Sequence, residues 1–113
     1  MTDCIIALVT VGSRAEGERI AETLVAEQLA ACVNIVGPIH STYRWEGQVQ
    51  RDEELLLIVK TRDALFARLA ARVQVLHSYQ TPEVIALPIV AGAEPYLAWL
   101  RGSTVATGES GPQ

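Results

Sequence analysis

CVNIVGPIHSTYRWEGQVQRDEELLLIVK (32–60) holds two long β-type runs back to back, with no helical period between them. CVNIV (32–36) and LLLIV (55–59) are apolar and rich in branched side chains, which suits strands covered on both faces. Glu46–Gly47, midway, is a two-residue hairpin signal, and Gly37–Pro38 interrupts the first arm. Arms of about thirteen residues would each reach roughly 43 Å if straight. A domain of this length has a radius of gyration of only about 13 Å. The hairpin must therefore project from the body or bend back at Gly37–Pro38. A projecting tip carrying Tyr43 and Trp45 would serve as an aromatic anchor for a partner.

The flanking segments supply the rest of a fold. CIIALVTV (4–11) is an unbroken apolar run, again a strand buried on both sides. SRAE (13–16) is a capping box with Ser13 at the N-cap and Glu16 at N3. Ile20, Leu24, Val25 and Leu29 continue it as an amphipathic helix of about four turns. After the hairpin, Asp63 is placed to cap a second helix whose apolar face is Leu65, Phe66, Leu69, Val73 and Leu76. VIALPIV (84–90) reads as a fourth strand, and Pro88, which has no N–H to donate, puts it at an edge or a bulge. Residues 93–100 fit a short closing helix with Pro95 in its first turn. The order β-α-β-β-α-β plus a C-terminal helix is the ferredoxin-like, α+β sandwich. It forms one domain over residues 1–103, followed by a flexible tail, TVATGESGPQ (104–113).

In that arrangement two helices cover one face of a four-stranded antiparallel sheet, and the other face should alternate to polar side chains. Residues 4–9 and 55–59 do not alternate; they offer apolar groups to both faces. A patch of that size is rarely left in water, so a second copy of the chain is expected to cover it.

Composition narrows the function classes. The 113 residues carry a formal charge of −4, with nine Lys and Arg scattered along the chain, so no basic stripe awaits nucleic acid. The run 4–11 is far too short to span a membrane and is preceded by Asp3 instead of a basic segment, so neither a membrane protein nor a signal peptide is expected. Two cysteines without a CxxC pair suit free thiols in a reducing cytoplasm. No GxSxG, P-loop or GxGxxG occurs, and the chain is not expected to be an enzyme.

Chemistry-bearing side chains concentrate in HSYQTPEV (77–84). His77 ends the second helix, where an imidazole complements the carbonyl end of the helix dipole. Glu83 is either a solvated strand-end carboxylate or, with His77, part of a shell for Cu(II) or Zn(II). Cys32 is either a small buried hydrophobe or a thiolate ligand. It opens the second strand while Glu83 opens the fourth, and those strands run in opposite directions. Cys32 could therefore reach His77 and Glu83 only from a neighbouring copy.

LAACVNIVGPI (29–39), YRWEGQV (43–49), EELLLIVKT (53–61), HSYQTPEVIALPI (77–89) and YLAWL (96–100) together resemble the CutA divalent-cation-tolerance family. The resemblance runs from residue 4 to about 101 in the same order. It implies a ferredoxin-like subunit in a tight homotrimer similar to that of the PII signalling proteins, with Tyr43 and Trp45 at the trimer interface. It also implies binding of divalent metal, copper foremost, through Cys32 of ACVNI and through His77 and Glu83 at the two ends of HxYxxPE. Ser78 stands where the family usually has proline, which is expected to loosen the turn. The alternative function is a PII-like signalling or scaffold trimer that holds a small ligand or partner protein in the clefts between subunits.

Overall fold

The structure is a computed structural model that describes residues 2–105. Its elements are β1 (Cys4–Val11), α1 (Arg14–Ala26), β2 (Cys32–Trp45), β3 (Gln48–Arg62), α2 (Phe66–Leu76), β4 (Val84–Pro88) and α3 (Glu94–Gly102). The four strands form one antiparallel sheet in the order β2-β3-β1-β4. This is the ferredoxin-like α+β arrangement that the element order predicts.

β1 lies in the middle of the sheet, and its alternate residues Ala7, Val9 and Val11 are fully buried beneath the helices. Leu57 and Val59 of β3, Ile20 and Leu24 of α1, and Leu69 and Val73 of α2 complete that core. On the opposite face, Ile6 and Leu8 pair with Leu87 and Ile85 of β4, and Leu8 and Thr10 pair with Ile58 and Leu56 of β3. Ile85 is 52% exposed and Leu87 53% exposed. α3 covers only one end of this face, where Cys4, Ala31, Leu97 and Leu100 form a second small cluster. An apolar sheet surface is left open, as the unalternating runs foretell.

The hairpin projects. β1 stops pairing at Val11↔Leu55, so β3 residues before Leu55 have only β2 beside them. The molecule measures 43 Å along its longest axis and has a radius of gyration of 14.5 Å, larger than the roughly 13 Å of a compact chain this long. Glu46 and Gly47 both adopt positive φ, 49° and 78°, which defines the tight two-residue turn whose twist matches the flanking strands. Pairing slips between Val36 and Ile39, around the cis Gly37–Pro38 bond. At Gly37 the backbones run so close that a Cβ would sit 2.3 Å from Leu55 Cδ2 and 3.3 Å from the Glu54 carbonyl.

Helix boundaries depart from the sequence pattern in two places. α1 ends at Ala26, before Leu29. Gln28 takes a left-handed φ of 60°, and its N–H reaches Val25 O (3.0 Å) while Leu29 N–H reaches Leu24 O (2.9 Å). That pair of bonds is a Schellman motif, with Leu29 folding back onto Leu24. Leu29 is thus buried by the cap and not by the helix, and Val25 is 41% exposed. Asp63 begins a 3₁₀ turn (Asp63–Leu65) that runs into α2, and its side chain makes no capping bond.

β4 is an edge strand that closes at Pro88, where the missing donor costs nothing. Thr104 and Val105, the first two residues of the expected tail, are buried. Arg62 holds them, donating from Nε to Thr104 Oγ1 (2.8 Å) and from its guanidinium to Val105 O. The remainder of the expected tail lies outside the described residues. None of the described helices is long and apolar enough to cross a membrane.

Candidate functional site

Ser13 caps α1, its hydroxyl accepting the Glu16 N–H at 3.2 Å. The reciprocal half of the capping box is absent, because the Glu16 carboxylate turns toward the end of α2. There it accepts the Ser78 N–H (2.7 Å) and the Ser78 hydroxyl (3.1 Å). Burial works against this charge. The two Ser78 bonds, with the Arg19 guanidinium nearby, outweigh it and hold the Glu16 carboxyl below its ordinary pKa. Ser78 therefore ties the turn down, contrary to the looseness expected from the lack of proline. A proline there would have no N–H to offer.

His77 caps the C-terminus of α2, with its backbone N–H on Val73 O at 2.8 Å. Its side chain is wholly buried. Nε2 lies 2.7 Å from Thr10 O, and Nδ1 lies 3.0 Å from the Tyr79 N–H. A carbonyl can only accept and an amide N–H can only donate. Nε2 therefore carries the proton and Nδ1 presents its lone pair to Tyr79. Both ring nitrogens are thus committed inside the subunit. Tyr79 follows, its ring 4.5 Å from the imidazole and its hydroxyl donating to Glu54 Oε2 at 2.8 Å. Burial first, and then Glu54, push the Tyr79 phenol well above its usual pKa.

The turn after His77 and the root of the projecting hairpin enclose a cleft of about 630 Å³. Tyr79, Thr81 and Glu83 form one wall, and Tyr43, Trp45, Asp52 and Glu54 form the other. Asp52 and Glu54 share a face of β3 two residues apart, just past the last β1 partner. Tyr43 bonds to Asp52 through its hydroxyl, and this, more than any other contact, raises the Tyr43 pKa. Glu83 is exposed on the rim.

The three expected metal ligands do not meet within one chain. Glu83 lines the cleft, whereas His77 lies behind it with no free nitrogen. Cys32 pairs with Lys60 at the far end of β2, on the open apolar face, its thiol 3.9 Å from Asn34 Oδ1. Among the described residues no three His, Cys, Asp or Glu side chains are grouped to hold a metal ion. Tyr43 and Trp45 are 41% and 47% exposed, as a hairpin tip should be. Glu16 and Ser78 were not legible as partners, because 62 residues separate them. Asp52 and Glu54 did leave a signal, two acids at strand spacing where the apolar run of β3 gives way to polar residues.

Residues 5–103 match the CutA1 divalent ion tolerance protein family. The chain belongs to that family. Among its CutA1 relatives, "Protein CutA, chloroplastic" of Arabidopsis thaliana is 53% identical over 100 residues, which cover 88% of this chain but 55% of the plant protein. The "Divalent-cation tolerance protein CutA" of Thermus thermophilus is 52% identical over 99 residues, 88% of this chain and 96% of that one. The chain therefore spans about half the length of the plant relative and nearly all of the bacterial one. The crystal structure of CutA1 from Oryza sativa superimposes with a TM-score of 0.89 at 50% identity, covering 92% of this chain and 95% of that one. The ferredoxin-like subunit is thus the CutA1 fold.

Proposed function

We propose that this CutA1 chain serves divalent-cation tolerance as a homotrimer that binds divalent cations, with copper the first metal to test. The observation that carries it is the cleft, whose lining includes the three carboxylates of Asp52, Glu54 and Glu83. The donors of one chain do not complete a metal shell, so the neighbouring copy across the open sheet face supplies the rest. Cys32 on that face is the group it can bring. His77 joins only where the Tyr79 N–H releases Nδ1. Two free cysteines, one of them half-exposed, suit a reducing compartment such as the cytoplasm.

Titration calorimetry with copper tests this on the wild type, Glu83→Gln, His77→Ala and Cys32→Ser. Weaker binding in Glu83→Gln and Cys32→Ser is expected. Affinity unchanged in all three variants removes these residues from any metal role.

A second role, a PII-like trimer holding a small ligand, draws support from the cleft's size. Its volume of about 630 Å³ falls in the ordinary range for small-molecule sites and far exceeds what a bare ion needs. A thermal-shift screen run with and without chelator separates the two, since stabilisation that survives chelation comes from a ligand other than metal.

A further inference from the structure

We infer that the Lys60 ammonium of one copy enters the cleft of its neighbour and pairs there with Glu83 of the partner subunit. The inference rests on the trimer proposed above and names a charge contact between its copies.

The open sheet face supplies the first half of the pair. Ile6, Leu8, Leu56, Ile58, Ile85 and Leu87 make that face apolar. Lys60 sits at its end, paired with Ile6 on one side and Cys32 on the other, and is half-buried even in the lone chain. An ammonium carries three N–H donors, and among the described residues one neutral oxygen, Asn34 Oδ1, receives them. Arg62, the next cation along that face of β3, is committed to Thr104 and Val105. A copy laid over this face strips the remaining water from Lys60. An ammonium so buried is costly unless a carboxylate meets it, so the covering copy must bring one.

The cleft supplies the second half. Asp52 and Glu54 each accept a tyrosine hydroxyl within their own chain. Glu83, exposed on the rim, is the carboxylate in position to meet an ammonium from outside. The two charges cannot pair inside one chain. Lys60 is level with Ile6 and Leu87, and Glu83 lies four residues before Leu87. That offset is roughly 13 Å along the sheet and about 10 Å across two strand spacings, beyond the combined reach of both side chains. Cys32 stands directly opposite Lys60, so any approach that carries Cys32 of one copy to the next cleft carries Lys60 with it. In a closed trimer each copy gives its ammonium to one neighbour and receives another at Glu83, a heterologous contact repeated round the ring.

Sedimentation of the assembled protein over a dilution series tests the pair, with EDTA present so that no metal bridges the copies and graded urea added to bring dissociation into range. Lys60→Glu and Glu83→Lys should each dissociate at a concentration higher by about tenfold or more, the scale of one lost charge-assisted contact. The double variant restores opposite charges and should recover most of that loss, the signature of direct coupling. Circular dichroism reports whether each subunit stays folded. Should Lys60→Glu fail to fold, Lys60→Gln, which removes the charge without adding another, takes its place and should weaken association several-fold. Single variants that associate like the wild type, or a double variant no tighter than either single, overturn the pair while leaving the trimer standing. A wild type that sediments as a folded single chain overturns the trimer and the pair together.

Discussion

Ser78 gives both its backbone N–H and its hydroxyl to the carboxylate of Glu16, at 2.7 and 3.1 Å, and so fastens the end of α2 to the start of α1. The same carboxylate lies 3.8 Å from His77 Nδ1. One buried acid thereby holds the turn from which Tyr79 reaches Glu54 in the cleft.

Glu16 should make stability depend on pH in acid. Its folded pKa lies below its unfolded one, so the folded state binds fewer protons. Its contribution is present above the ordinary carboxylate pKa and fades as pH falls through the lower, folded value. Glu16→Gln should cost about 1–3 kcal/mol at neutral pH, since Ser78 loses its charged acceptor. Urea denaturation at pH 7 and again near pH 3 checks this. A difference from wild type that does not shrink in acid would assign the loss to packing.

Gly37→Ala should destabilise the hairpin root. The new methyl would stand 2.3 Å from Leu55 Cδ2 and 3.3 Å from the Glu54 carbonyl, so Leu55 and the neighbouring strand must both move. A cost of about 1–3 kcal/mol is expected. Chemical denaturation measures it, and a stability equal to wild type would show that the β2 slip can absorb the methyl.

Gln28→Gly should stabilise. Gln28 occupies a left-handed φ of 60° at the α1 terminus, a conformation that costs a side-chain-bearing residue about 1–2 kcal/mol. Glycine escapes that strain but loses more entropy on folding, leaving a net gain of about 0.5–1 kcal/mol. A raised midpoint in thermal or urea unfolding is the expected result, and a lowered one would mean that the Gln28 side chain contributes contacts worth more than the strain.

Leu87→Asp should weaken association without unfolding the subunit. Leu87 is 53% exposed on the edge strand, beside Ile6, so the charge costs little in the lone chain but would be buried between copies. Sedimentation at micromolar concentration should show three chains for the wild type and smaller species for the variant. A well-folded single chain in the wild type would remove the trimer.

Much of the fold was legible in the chain. The unalternating runs around Leu8 and Ile58 announced a sheet apolar on both faces, Glu46–Gly47 announced the turn, and Pro88 announced an edge, because each depends on spacing or on one residue's backbone geometry. The α1 terminus was misplaced, since Leu29 continues the helical spacing and the left-handed residue is a glutamine, not the usual glycine. The Asp63 cap was misplaced as well. A side chain suited to capping does so only where the first turn is α-helical and within reach, and here a 3₁₀ turn intervenes.

The candidate site was legible only as a set of residue types. His77, Tyr79 and Glu83 stand out in the chain, but spacing cannot say that the imidazole spends both nitrogens on Thr10 and Tyr79 while Tyr79 and Glu83 face the cleft. Strand order, hairpin and greasy sheet follow from local period and turn chemistry, which neighbouring residues set between themselves. The partners of Glu16, His77 and Glu54 come from segments tens of residues away. A buried polar group is satisfied by whatever the packing of helices on the sheet brings within about 3 Å, and that juxtaposition exists only once the chain has folded.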